Sequence, residues 1–316
     1  MTTNPRYQSW FDLGAQKFRG WAEGRGIEVP DDPTYPCPLC ANPFTREDLV
    51  EGRLTAEDVP PLSVGGRKIL LTCKSCNNNQ GSAIDSHAGI RERWIDAITG
   101  VRITPFAGEH TVGGVTARVE TWAGPGQLGI AYVPKQNNPN DHEMYKQAVH
   151  DPENTANQLN INPGFNWDRA DLSFVRAAYL ASFAAFGWSQ IFRPAFLPLV
   201  RRLAGSDDEL PDGILRYDPN ETATANKMVV VTEPGPQEGI LLVQMGRSTV
   251  GLPGPYDNRT LQAVAEAIND LVPNGEGCSF DGRSPDPVWP TGPGHRCDPD
   301  PEARQLTADG AGSEES

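Results

Sequence analysis

The spacing of apolar positions changes period several times along the chain and divides it into helical and extended stretches. Near the start, Trp10, Leu13, Lys17 and Trp21 recur at helical spacing. They predict a helix docked by its aromatic side and ended at Gly24-Arg25-Gly26. After Gly81 the run SAIDSHAGIRERWIDAIT reads as a second helix, with Ile84, Ala88, Arg91 and Ile95 in one stripe and Trp94 and Ile98 beside it. From Val101 the period drops to two. Val101–Ile103, Val115–Trp122 and Leu128–Val133 alternate between glycines and predict strands. Within them Thr116, Arg118, Glu120 and Trp122 share one face, and Val115, Ala117 and Val119 share the other. Gly113-Gly114 sits where a hairpin turns. Residues 134–166 are rich in Asn and Pro and read as loop, with a short helix from His142 to Val149.

Asp168 to Ala204 is the second strongly helical region. Phe174, Ala178, Ala181, Ala185 and Trp188 form a stripe that Tyr179 and Phe183 widen. A helix apolar nearly all round belongs in a core. Pro194 and Pro198 break it. Strands follow at Ile214–Tyr217, Met228–Thr232, Ile240–Met245 and Ser248–Leu252, then a last helix from Arg259 to Leu271. The reading is an α+β protein: an N-terminal helix over 1–30, a compact module over 31–100, a larger α+β domain over 101–272 with antiparallel strands and a long buried helix, and a tail from 273 to 316. The tail is Gly, Pro, Asp and Glu with little apolar content and reads as disordered.

The formal net charge is −14, which argues against a surface that wraps nucleic acid broadly. Nine acidic and three basic residues between Pro273 and Ser316 place −6 of it in the tail, whereas residues 31–100 hold ten acidic and seven basic ones. Local contact with a phosphate backbone would fall to Arg67, Lys68, Lys74, Arg91 and Arg93; ordinary solvated surface explains the same cations equally well. The most apolar segment, Ala177–Trp188, is too short to span a bilayer. No signal-peptide pattern precedes the first cysteines, so a reducing, cytoplasmic compartment without disulfides is the expectation.

Four cysteines change the picture. Cys37 and Cys40 make one Cys-x-x-Cys pair, and Cys73 and Cys76 make another. An x-x spacing lets one tight turn present two sulfurs to one ion, and two such turns complete a tetrahedral zinc site. A thioredoxin-like redox role for Cys37-Pro38-Leu39-Cys40 would need one pair in a βαβ setting. Cys278 and Cys297, with His295, stand in the tail without a partner pattern.

Between and after the pairs lie Glu57-Asp58-Val59-Pro60-Pro61, Ser63-Val64-Gly65-Gly66, Leu71-Thr72-Cys73-Lys74-Ser75-Cys76-Asn77-Asn78 and Gly81. This order resembles the HNH endonuclease family, in particular its members with a zinc-binding double Cys-x-x-Cys. About fifty residues carry the likeness. The segment AAYLASFAAFGW is also similar to the helix that follows the nuclease motif in bacterial HNH proteins of this size. The resemblance implies a ββα-metal fold in which Glu57 and Asn77 hold a catalytic Mg²⁺ or Mn²⁺. It also implies a histidine, the general base, at position 58, where this chain has Asp58. Reference pKa values put Asp about 2.6 units below His, so the carboxylate is the poorer base near neutrality.

Asp58 could instead supply an extra oxygen to the ion, provided the Pro60-Pro61 flank distorts the strand, since strand neighbours point to opposite faces. Asn77 has a competing role as a helix N-cap. Asp85 and His87 fall out of phase with Asn77 on the helix. Two functions follow: metal-dependent phosphodiester hydrolysis of nucleic acid, DNA first, by Asp58, Glu57 and Asn77; or a catalytically inactive zinc-knuckle scaffold that binds nucleic acid or a protein partner.

Overall fold

The computed structural model describes residues 4–124, 127–221, 225–232, 235–271 and 289–292 of the chain. In chain order the elements are α1 (Pro5–Glu23), β1 (Tyr35–Pro36), β2 (Pro43–Phe44), α2 (Arg46–Val50), β3 (Leu54–Val59), β4 (Arg67–Cys73), α3 (Lys74–Gln80), α4 (Ser86–Ile98), β5 (Phe106–Val112), β6 (Val115–Gly124), β7 (Gln127–Tyr132), α5 (Pro139–His150), β8 (Asn157–Ile161), α6 (Trp167–Phe186), α7 (Trp188–Ile191), α8 (Leu197–Leu203), β9 (Leu215–Tyr217), β10 (Lys227–Val230), β11 (Ile240–Met245), β12 (Ser248–Pro253) and α9 (Leu261–Leu271). The fold is mixed α+β with antiparallel sheets.

The chain forms two compact units, and their limits differ from boundaries at 30, 100 and 272. One unit joins residues 1–80 to 174–316; the other is the intervening segment 81–173. The cysteine pairs, their hairpin and the apolar part of α6 therefore share a unit although a hundred residues of sequence separate them.

In the first unit α1 starts at Asn4, whose side chain accepts from the Arg6 N–H, and ends at Gly24. Its buried line is Phe11, Gly14, Ala15 and Ala22, with Trp10 beside it. Tyr35 lies against Gly14, and the Trp188 indole N–H donates to the Gly14 carbonyl at 2.9 Å. The expected stripe of α6 is buried throughout, Phe174, Ala178, Ala181 and Ala185 included, and so is Trp188. The helix ends earlier than Pro194: Gly187, at φ 77°, breaks the backbone before Trp188. Trp188 packs against Phe18, Tyr35, Phe183 and Phe192 with ring centroids 4.6–5.5 Å apart, an aromatic centre around which α1, β1 and α6 meet. At the far end β10, β11, β12 and β9 make a four-stranded sheet in that order, with Ile240 and Leu242 buried against Val264, Ala267 and Ile268 of α9. All four strands and the helix lie within two residues of their expected positions.

The second unit is a sheet in the order β7, β6, β5, β8. Gly113 and Gly114 both take positive φ (54° and 79°) between the paired residues Val112 and Val115, which a two-residue turn of type I′ demands. Val112, Ala117 and Val119 form the core with Tyr145 and Ala148 of α5. Val101–Ile103 is not a strand. The first strand is β5, and β8 lies within the Asn- and Pro-rich stretch read as loop. Both carry polar residues at alternate positions that a one-sided sheet leaves in water. Nothing of Cys278, Cys297 or His295, nor of the tail apart from 289–292, falls within the described residues.

Candidate metal centre and the polar face beside it

Two knuckles bring the four sulfurs together. The first is the turn between β1 and β2, where the Cys37 N–H donates to the Asn42 carbonyl at 2.9 Å and the Ala41 N–H donates to the Cys37 carbonyl at 2.8 Å. The second is the junction of β4 with α3. Here the Cys73 N–H points at Cys37 Sγ (3.3 Å) and the Cys76 N–H at Cys73 Sγ (3.4 Å). Backbone N–H groups aimed at sulfur favour the thiolate. The four Sγ atoms all lie within 4.8 Å of one another, and Cys40 Sγ is 3.9 Å from Cys73 Sγ. Ligands about 2.3 Å from a tetrahedral zinc stand about 3.8 Å apart, while a disulfide needs about 2.05 Å. The set fits a metal ion and excludes a bridge between these sulfurs.

The protonation pattern agrees. Hydrogen bonds to Cys40, Cys73 and Cys76, together with burial, push the Cys37 thiol well up. The bond from Cys37 is the main cause that lowers Cys40 to about 7 and Cys73 to about 5. Cys40 and Cys73 are thereby the readier thiolates, the form in which a sulfur binds a metal ion. Around the knuckles, Tyr179 Oη donates to the Pro38 carbonyl at 2.6 Å and Tyr35 Oη to the Leu71 carbonyl at 2.9 Å. These bonds hold the sulfur-bearing loops to α6 and β4.

Between the two knuckles, after α2, β3 and β4 pair as a hairpin. Leu54 lies opposite Cys73, Thr55 opposite Thr72 and Glu57 opposite Leu70; then the register slips and Asp58 lies opposite Lys68. Ile69 on β4 is the extra residue, a β-bulge. The loop between the strands contains Pro60, Pro61, Gly65 and Gly66, and the Val59–Pro60 peptide is cis. Gly66 is there because a Cβ would stand 1.5 Å from the Pro60 carbonyl oxygen.

Each expected site residue has a definite place. Glu57 is 3% exposed. Its Oε1 accepts from Arg176 Nη2 at 2.8 Å and its Oε2 from Thr72 Oγ1 at 2.7 Å. Arg176, itself buried, also reaches Gln80 Oε1 through Nε, and Gln80 Nε2 donates to the Leu203 carbonyl at 3.1 Å. Asp58 is half-buried. Burial raises its carboxyl, with Lys68 pulling the other way and Glu57 adding to the rise. The bulge falls on β4, so β3 keeps its alternation and does not turn both carboxylates to one point. Asn77 is not an N-cap, because α3 begins three residues earlier at Lys74; its Nδ2 donates to Thr55 Oγ1 at 3.1 Å. Thr55, Glu57, Thr72, Asn77 and Gln80 thus share a polar face, and Arg176 completes it.

Asp85 and His87 belong to the second unit. Asp85 accepts from Ser173 Oγ at 2.7 Å, and His87 Nδ1 accepts from the Asn166 N–H at 3.0 Å. Burial, then Arg169, holds the imidazole below its usual range. Among the cations offered for phosphate contact, Arg91 is fully buried and paired with Glu92 and Asp171, so it is withdrawn. Arg67, Lys68, Lys74 and Arg93 are exposed.

Arg176 is the residue that sequence reasoning missed. Its signal was legible: it is a lone charge inside the apolar run LSFVRAAYLASFAAF, and a charge in a buried stripe needs a buried partner. The identity of that partner, 119 residues away, was not legible. Compared with protein-family models, curated proteins and solved structures, the chain matches none of them. Among the described residues no helix is long and apolar enough to cross a membrane.

Proposed function

We propose that this chain is a zinc-stabilised, HNH-like scaffold that has given up phosphodiester cleavage and works by binding a partner. One observation carries the reading: both oxygens of Glu57 are taken, one by the Arg176 guanidinium and one by Thr72, in a place closed to water. A divalent cation at Glu57 would have to displace a paired cation and stand beside its charge. The carboxylate therefore does not fit the ion that the resemblance calls for, and no catalytic step runs through one. Asp58, where a histidine base would stand, supports the same conclusion. Zinc on Cys37, Cys40, Cys73 and Cys76 fits, and its role is to cross-link the two knuckles and fix the hairpin between them.

The other reading, a weakened metal-dependent endonuclease acting on DNA with Mg²⁺ or Mn²⁺, has one observation in its favour. Asn77 keeps its position on the hairpin face, one hydrogen bond from Thr55. Incubating supercoiled plasmid with the protein and Mg²⁺, Mn²⁺ or Ni²⁺ separates the two. The scaffold reading expects no nicking by the wild type, nor by Asp58→His, because Arg176 still occupies Glu57. Nicking by the wild type that Asn77→Ala abolishes would establish the enzyme and end the scaffold reading.

A further inference from the structure

Four residues near the C-terminus, Trp289-Pro290-Thr291-Gly292, lie on the first turns of α1. Pro290 is buried and Trp289 and Gly292 are half-buried. Arg6 Nη2 donates to the Thr291 carbonyl at 3.1 Å. The same guanidinium lies over the Trp10 ring, 4.6 Å from its centroid, and the Tyr7 ring stands 5.5 Å from that of Trp10. Gly292 sits at the pyrrole edge of Trp10: a Cβ there would be 3.0 Å from Nε1 and 3.6 Å from Cε2. Trp10 is only 7% exposed with the segment in place.

We infer that Arg6, Tyr7 and Trp10 make a peptide-docking surface for a Pro-Thr-Gly segment, and that the chain fills it with its own residues 289–292. The chemistry is that of proline-peptide recognition. Tyr7 and Trp10 supply aromatic surface, proline presents a ring that loses little entropy on binding, and one cationic donor, Arg6, reads the Thr291 carbonyl. Glycine fits closely here: a Cβ at 292 would stand 3.0 Å from the indole Nε1, so the segment or the indole would have to give by a few tenths of an ångström, and a branched side chain by more. The dock uses neither the sulfur cluster nor the Glu57 face, so it stands or falls independently of the proposed function. An occupant on the same chain competes with any free peptide of the same sequence. A partner segment of the same Pro-Thr-Gly chemistry must displace residues 289–292 first.

The full-length protein tests this with a fluorescein-labelled peptide, DPVWPTGPG, copied from residues 286–294. Gly292→Val should clear the dock. Its amides over 5–12 should exchange faster than in the wild type, and it should bind the peptide about tenfold more tightly than the wild type does. Arg6→Ala should bind the peptide more weakly than Gly292→Val, since the carbonyl donor is gone. Zinc content equal to that of the wild type establishes that both variants are folded. The dock is refuted if the peptide binds neither wild type nor Gly292→Val. It is also refuted if both bind equally while exchange at 5–12 is unchanged.

Discussion

At the scale of residues, the decisive pair is Glu57 and Arg176. Two buried charges exchange hydration for each other and for Thr72 and Gln80. Removing one leaves the other stranded, at a cost of about 3–5 kcal/mol, whereas replacing both by apolar groups of similar volume is often near neutral. Arg176→Met should therefore destabilise the protein by about 3–5 kcal/mol in urea unfolding, and Glu57→Leu with Arg176→Met should restore most of it. A double variant no more stable than the single one would show that the pair is not the unit described here. Gly66 gives a second case. The Ser-Val-Gly-Gly stretch could be read as a turn from its composition, but that one of its glycines faces a carbonyl at a distance no Cβ tolerates could not. Gly66→Ala should destabilise the protein by at least the ~1–3 kcal/mol of an overpacked core, read as a lower urea midpoint.

At the scale of elements, periodicity was a good guide wherever one face of an element is buried and the other wet. The strands β6 and β7 and the strands β9 to β12 announce themselves by alternation and by glycine turns. β5 and β8 escaped because their outward positions carry Thr, Asn, Gln and Glu next to small residues, which leaves little contrast. The knuckles were legible for a different reason. Cys-x-x-Cys spacing is a local constraint on one turn, so two such pairs imply their own meeting point. Cys73→Ser should reduce zinc from about one per chain and expose the amides of 67–80 to exchange, because Cys73 ends β4 and opens the path into α3 at once. Full zinc with unchanged exchange would mean that three sulfurs suffice and that the junction is held by packing alone.

At the scale of the whole molecule, the chain is organised as an interrupted unit. Residues 81–173 build a sheet whose strands, among the described residues, pair only with one another. Stripping the metal with a chelator should thus raise exchange in the cysteine hairpin and leave the amides of β5, β6 and β8 protected. If both units lose protection together, they fold as one cooperative body. A boundary at residue 100 looked natural from the sequence because the period changes there. The compact units instead part at 80 and at 173, both inside helical stretches.

The sequence by itself determined local terms: the helix docked by Trp10, the long buried helix, the strands β6, β7 and β9 to β12, the glycine turn at 113–114, and that four sulfurs converge. Each follows from spacing along a few residues. Only the tertiary structure decided what the acidic residue at 57 does, because the guanidinium that holds it comes from a helix more than a hundred residues on. Long-range pairing of buried charges is fixed by packing geometry, and no local pattern encodes it.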